Sequence, residues 1–511
     1  MIPTGPFNAA TFFVDRHVQE GRGARPAFRH EGRVLSWAHV TDLVDRGAAA
    51  LAAMGVKPGE RVLIALPDSP AFVAAFWGAV KLGAVAVPVN TVMTADEYAF
   101  LLEDSDATAV VAAPEVAARI DPARSLDPEA MLADPRLTAR APHAPAPTRA
   151  DDVMYWGYTS GSTGRPKAAV HTHAHFVAAA DCVGVGVFGL GPDDLTFSAS
   201  KMFFAFGLGN TLYFPGRVGA ASVLVSERLD AARALDIITR ERPTVFFAVA
   251  TLYARMLEAA AGTTRWDLSS LRFCVSSGEA LPAALFDAWC ARFGLALVDV
   301  VGSTEALHDF IANPPSAPRR GSAGRLVPGF DARLVDDAGA DAPAGVVGEL
   351  WIKGPTTARE YWNRPAKTAE TMRGDWLRAS DMFARDADGW FTFAGRADDM
   401  LKVAGQWVAP AEVEARLVEH PGVLEAGVVG RADGAGLLRA HAYVVPPAGI
   451  TPSAELAETL RAWARAGLPP HKVPAVVEFV TELPKTATGK VQRFRLRAQY
   501  PGEVSEGPPL R

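Results

Sequence analysis

The chain has 511 residues, of which 49% are apolar and 21% charged, and a formal net charge of −6. That length exceeds what one hydrophobic core serves, so two or more domains are expected, and the mildly acidic balance excludes bulk electrostatic attachment to nucleic acid. Three cysteines, Cys182, Cys274 and Cys290, lack metal-ligand spacing and read as reduced thiols of a cytoplasmic protein.

The first residues, Met1-Ile2-Pro3-Thr4-Gly5-Pro6, offer neither a basic start nor an apolar core and read as no secretory leader. A strand is predicted over 61–66. Ser69 as N-cap, Pro70 at the first helical position and Gly83 as terminator then define a helix, and a second strand follows over 84–87. Residues 71–89 form the longest apolar segment, but Lys81, Gly83 and Pro88 break it, so it cannot span a bilayer. Thr94 and Glu97 make a capping box that opens a helix over 94–103, ahead of a strand over 109–112. This alternation predicts parallel sheets covered by helices. An alanine- and proline-rich stretch, 139–150, reads as a solvated connection.

The most informative segment comes next: Thr159-Ser160-Gly161-Ser162-Thr163-Gly164-Arg165-Pro166-Lys167, with four hydroxyls, two glycines and two cations. Glycines let backbone amides turn toward an anion, hydroxyls add donors, and Arg165 and Lys167 supply countercharge, which together make a phosphate cradle. Apolar β-forming residues flank it, unlike a flexible linker. Pro166 stands where a Walker A loop needs contiguous Gly-Lys-Ser/Thr, so a P-loop is excluded. The run Gly184-Val185-Gly186-Val187-Phe188-Gly189 matches a dinucleotide-binding pattern, yet Gly191 and Pro192 follow where a helix must run, and it reads as chance. His171, His173 and His175 alternate as if on one face of a strand, but no fourth ligand accompanies them, and packing near the loop is the expectation.

Strands are predicted over 245–248 and 273–276, and later a strand between glycines over 348–354 and another at Trp390-Phe391-Thr392-Phe393. Beyond Arg396 come a helix over 410–419, strands over 423–429 and 439–445, a helix over 453–466 and a strand over 475–480. This is a compact α+β unit of about 110 residues, large enough to fold alone.

Polar islands line up in one order: the phosphate loop; Gly278-Glu279-Ala280; Gly302-Ser303-Thr304-Glu305; Asp381; Arg396; and Pro484-Lys485-Thr486-Ala487-Thr488-Gly489-Lys490. In that joint order the chain resembles the adenylate-forming superfamily of acyl-CoA synthetases, adenylation domains and luciferases. Within it the chain looks most like benzoate-CoA ligases and related aryl-CoA ligases, including 2-aminobenzoate-CoA ligases. That likeness lies in Phe203-Phe204-Ala205-Phe206-Gly207-Leu208-Gly209-Asn210, Ser276-Ser277-Gly278-Glu279-Ala280, Gly302-Ser303-Thr304-Glu305-Ala306-Leu307-His308 and Asp399-Met400-Leu401-Lys402-Val403-Ala404-Gly405.

The resemblance implies an α/β fold. Its large N-terminal domain, 1–395, would hold parallel-rich sheets covered by helices plus a β subdomain, with a small mobile α+β domain, 396–511, hinged at Asp398. It implies that a carboxylate attacks the α-phosphorus of ATP to give an acyl-adenylate and pyrophosphate, after which the thiol of coenzyme A displaces AMP. Lys490 would meet the carboxylate and α-phosphate, Thr304 would donate to that phosphate, and Glu305 would hold Mg²⁺. Thr159 to Gly164 and Lys167 would cradle the phosphates. Ser277, Gly278, Glu279, Ala280 and Asp299 would line the nucleotide, and Asp381 with Arg396 would take the ribose; Gly405 would leave room for the pantetheine arm.

The acid pocket would be walled by Ala199, Phe203, Ala205, Phe206, Gly207, Gly302, His308 and Asp309, with Lys201 nearby. Aromatic walls beside small residues suit a flat ring. No carboxylate stands in Phe203-Phe204-Ala205-Phe206, where amino-acid-activating relatives place one, so an α-amino acid is not expected. Relative to benzoate ligases, Phe206 replaces a tyrosine and Asp309 an apolar residue. Asp309 is expected either to serve a ring substituent such as an amino group, which makes 2-aminobenzoate a candidate beside benzoate, or to turn away to protein or water. The alternative activity is a stand-alone enzyme that loads a carrier protein. A monomer or homodimer is expected, with no nucleic acid partner.

Overall fold

The computed structural model describes residues 5–133, 143–159, 165–336, 338–403, 406–433, 437–485 and 491–499. The chain divides into two compact units. The larger comprises Met1–Leu281, Leu285–Ala332 and Ile352–Arg378, and the smaller Pro282–Ala284, Arg333–Trp351 and Ala379–Arg511. Among the described residues, no helix is long and apolar enough to cross a membrane.

Two large sheets build the larger unit. One runs Ser125–Leu126, Ala107–Ala112, Arg61–Ala65, Val85–Pro88, Val153–Thr159, Lys167–Thr172; every neighbouring pair is parallel except the last. The other, nine strands wide, has six parallel strands at its centre, in the order Leu297–Gly302, Phe273–Ser276, Val245–Ala248, Leu195–Ser198, Ala221–Leu224 and Pro26–His30. Antiparallel strands Asp309–Ala312 and Arg325–Leu326 extend one edge and Arg33–Ser36 the other. The central strands read Val245-Phe246-Phe247-Ala248 and Phe273-Cys274-Val275-Ser276 and are buried throughout, as strands covered on both faces must be.

The local signals act as predicted. Ser69 accepts a hydrogen bond from the Phe72 amide at the start of helix Pro70–Lys81, and Gly83 follows it with φ +80°. Thr94 and Glu97 form both halves of a capping box on helix Ala95–Ser105. Helices Trp37–Ala53 and Pro70–Lys81 meet backbone to backbone at Gly47 and Gly78, where a Cβ on Gly78 would lie 2.7 Å from the Ala48 amide nitrogen.

In the smaller unit, strands Glu425–Ala432, Leu438–Val445 and Val476–Phe479 form a three-stranded sheet. Helices Pro410–Val418 and Ala454–Gly467 contribute Val413, Leu417, Leu460 and Ala464 to the same apolar core as Val428, Ala442 and Val444. Strand Trp376–Arg385 pairs with Phe391–Arg396 so that Asp381 faces Arg396.

Gly78→Ala should lower stability by about 1–3 kcal/mol through overpacking, whereas Gly191→Ala, whose Cβ meets nothing within 4 Å, should stay within about 0.5 kcal/mol of the parent. Urea unfolding of the two variants checks this contrast, and equal midpoints would contradict it.

Candidate functional site

Within the larger unit, candidate residues collect at the carboxyl ends of parallel strands, where open α/β sheets bind ligands. Ala199 follows Leu195–Ser198, Ser277 to Ala280 follow Phe273–Ser276, and Ser303 to Glu305 follow Leu297–Gly302. In the neighbouring sheet Thr159 ends its strand and pairs in register with Lys167. Ser160, Gly161, Ser162, Thr163 and Gly164 lie between them, outside the described residues.

The acidic motif is a tight turn. Ser303 Oγ accepts from the Ala306 amide, and Leu307, with φ +66°, reverses the chain in the left-handed region that a branched side chain avoids. Three consecutive carbonyls of the turn are each captured. Thr304 O accepts from His171 Nε2 at 2.8 Å, Glu305 O from the Ala358 amide at 2.7 Å, and Ala306 O from Thr356 Oγ1 at 2.6 Å. Gly157 permits the approach, because a Cβ there would lie 2.6 Å from Thr304 Cγ2.

The Glu305 carboxylate is also held. Tyr361 Oη donates to Oε1 at 2.6 Å, and burial followed by the Glu305 charge pushes that phenol upward. Lys167 Nζ lies 3.9 Å from Glu305 Oε1 and 3.9 Å above the Tyr361 ring, so Lys167 and the acidic turn share one electrostatic centre.

His171 is fully buried, and desolvation pushes it down to about 4, so it is neutral at pH 7. With Nε2 donating to Thr304, its Nδ1 faces His175 Nδ1 at 3.1 Å and acts as acceptor. The three histidines do not share a strand face: the strand ends at Thr172, and helix His173–Ala179 carries the other two. The chain turns helical at His173, whose Nδ1 accepts from the Ala9 amide, 164 positions away. No group of three metal-ligating side chains is found among the described residues.

The proposed pocket walls also come together. His308 Nε2 lies 3.3 Å from the Phe206 carbonyl, the two rings are 5.5 Å apart, and Ser277 Oγ is 3.5 Å from Asp309 Oδ1. Gly207 has the carbonyls of Ser200 and Lys201 where a side chain would begin, and a Cβ on Gly302 would meet His308 O at 2.6 Å. Ala205 is buried, and the Ala199 amide donates to Phe247 O. The Phe203 ring lies 4.6 Å from that of Phe204, tilted by 58°. Lys201 points elsewhere, donating to the carbonyls of Val225 and Glu227 at 2.5 and 2.6 Å.

Gly278 has φ +84°. Glu279 Oε2 accepts from the amide and hydroxyl of Thr251, at 3.1 and 2.8 Å, while Oε1 is buried with no hydrogen-bond partner among the described residues. Asp299 is raised well above the carboxylate range, by burial first and then by the charge of Asp309. In the smaller unit Arg396 Nε lies 3.3 Å from Asp381 Oδ1; Ser380, just before, has φ +59°. Asp398 sits in the turn Ala397–Asp399, while Gly405 and Lys490 lie outside the described residues.

Sequence reasoning did not find Tyr361, Thr356 or Ala358 as supports of the turn. Each lies fifty or more positions from the carbonyl or carboxylate it serves, as Ala306 and Thr356 show with a separation of 50 and Glu305 and Tyr361 with 56.

His17, His171 and His173 are each held near 4 by burial, below the usual value of 6.5, so the unfolded chain takes up protons that the folded chain refuses. Stability should therefore be complete above about pH 6.5 and fall as pH drops toward 4, by on the order of a few kcal/mol per group. Urea midpoints measured across this range should show a shallower fall in His171→Gln than in the parent; identical slopes would contradict the assignment.

The model of AMP-binding enzymes matches residues 14–362, and that of the AMP-binding enzyme C-terminal domain matches 412–490. A 4-hydroxybenzoate–CoA/benzoate–CoA ligase of Rhodopseudomonas palustris is 41% identical over 526 residues, covering 99% of this chain and 97% of the relative. A benzoate–CoA ligase of Thauera aromatica is 40% identical, covering 96% of each chain. A crystal structure of an anthranilate CoA ligase in complex with anthranoyl-AMP superposes with a TM-score of 0.90 at 36% identity, covering 97% of this chain and 98% of that one.

Proposed function

The chain belongs to the family of AMP-binding enzymes, and from that premise we propose that it joins a benzoate-type aromatic acid to coenzyme A, using ATP and passing through an acyl-adenylate. The observation that carries this reading is the fixed Thr304–Glu305 turn beside Lys167, with the Phe206 and His308 rings on the segments that flank it. Polyphosphate chemistry needs donors and cations already in place where charge develops, and a flat ring needs apolar walls.

In this proposal Thr304 and Lys167 donate to the phosphates, joined by Thr159 and the loop to Gly164. Lys490 reaches the reacting carboxylate and the α-phosphate. The segment Ser277 to Ala280, with Asp299, lines the base, and Asp381 with Arg396 takes the ribose hydroxyls. Gly405 admits the pantetheine arm. We keep the domains at 1–395 and 396–511, with Asp398 as the hinge between half-reactions and a cytoplasmic location.

The residues fit a magnesium ion. Glu305 is a single carboxylate whose Oε1 is held by Tyr361 and whose Oε2 carries no hydrogen bond among the described residues. Such a donor set suits Mg²⁺, which takes one or two carboxylates together with substrate phosphates. When bound, the ion would neutralise charge on the polyphosphate.

A panel of aromatic and aliphatic acids, scored for AMP release with and without coenzyme A, tests the reading. Coenzyme-dependent release with benzoate-type acids supports it. Pyrophosphate release with the adenylate held, and no AMP until a carrier protein is added, would favour a loading enzyme. Lys490→Ala should slow isotopic pyrophosphate exchange by on the order of 10²–10³-fold, as loss of a preorganised charge does. Exchange at the parent rate would contradict the role given to Lys490.

A further inference from the structure

The proposed pocket contains a carboxylate whose surroundings do not account for it. Asp309 opens strand Asp309–Ala312, opposite Gly302, and is only 2% exposed. A buried carboxylate is heavily penalised unless donors or a cation meet it. Ser277 Oγ, at 3.5 Å from Oδ1, is its one side-chain hydrogen bond among the described residues, and that distance marks a weak one. Its other oxygen has none. His308 Nδ1 approaches Oδ2 to 2.9 Å, but outside hydrogen-bond geometry, so both atoms are buried without a hydrogen-bond partner among the described residues. Among the described residues, no lysine or arginine pairs with Asp309.

Burial first and the Asp309 charge after it push Asp299 well above the carboxylate range, and Tyr213 Oη is buried without a hydrogen-bond partner among the described residues. The same corner holds aromatic surface, with the His308 ring 5.5 Å from Phe206 and 4.5 Å from Phe214. His308 and Asp309 follow directly on the turn that carries Thr304 and Glu305. An acid held for activation at that turn would bring its ring to these residues.

Resting on the proposed function, we infer that the physiological acid carries a hydrogen-bond donor on its ring, an amine or a hydroxyl, and that Asp309 is the residue that receives it. The donor satisfies the buried carboxylate, and an unsubstituted ring leaves it unpaired. Asp309 is therefore a specificity-determining residue: sites built to bond a substrate hydroxyl or amine discriminate strongly against the analogue lacking it.

The test compares kcat/KM for thioester formation from benzoate, 2-aminobenzoate and the three hydroxybenzoates in wild type, Asp309→Leu and Asp309→Asn. Calorimetric binding of the same acids to wild type provides a readout independent of how the variants fold. At least one donor-bearing acid should exceed benzoate by about tenfold or more in wild type, and Asp309→Leu should shift that ratio toward benzoate by about the same factor, with Asp309→Asn between them. Which arm wins separates amine from hydroxyl. Ratios unchanged across the three proteins, or a wild type that prefers benzoate in both turnover and binding, would overturn the inference while leaving the proposed function intact. Absence of AMP release with every aromatic acid would remove the proposed function, and this inference with it.

Discussion

The site depends on one constraint, the capture of three successive carbonyls in the turn from Thr304 to Ala306. A left-handed leucine costs on the order of 1–3 kcal/mol and persists only where the surroundings over-determine it. His171, the Ala358 amide and Thr356 do so here, because leaving any of these acceptors buried and unmet would cost about as much as the strain. The reversal at Leu307 then sends the chain straight into His308 and Asp309. The residues proposed to face the phosphates and the ring thereby share one seven-residue segment, 303–309.

The supports of that turn come from distant parts of one unit. His171 lies on strand Lys167–Thr172, and Ala169 on the same strand bridges to Tyr361, whose hydroxyl holds Glu305. A displacement of the loop strand is therefore felt at the acidic turn through two routes. Neutral histidine suits this role. A protonated ring would lose Nδ1 as the acceptor that faces His175, and burial keeps the proton off.

Much of this arrangement was legible in the chain. The caps at Ser69 and Thr94 and the apolar strands at 245–248 and 273–276 fall where the residues alone place them, because each is decided by neighbours within a few positions. The order of polar islands carried the resemblance to adenylate-forming enzymes, and that resemblance implied the chemistry. What escaped is long-range. His171, His173 and His175 alternate like a strand face, but the helix beginning at His173 breaks the period after the first of them. Nothing near Glu279 signals that its carboxylate will bond Thr251, 28 positions away, and nothing near Tyr361 marks it as the partner of Glu305. Lys201, expected near the acid, is drawn off by two backbone carbonyls that only the folded sheet brings within reach.

The central claim is that a preset Thr304–Glu305 turn, rather than mere possession of those side chains, makes the site competent. Gly157→Ala tests it most directly, because the added Cβ would press on Thr304 Cγ2 while leaving every candidate residue in place. In protein shown by circular dichroism and urea unfolding to be folded, ATP–pyrophosphate exchange with an aromatic acid should fall by about 10²-fold, the scale of a small displacement in a positioned site. Exchange as fast as the parent would contradict the account.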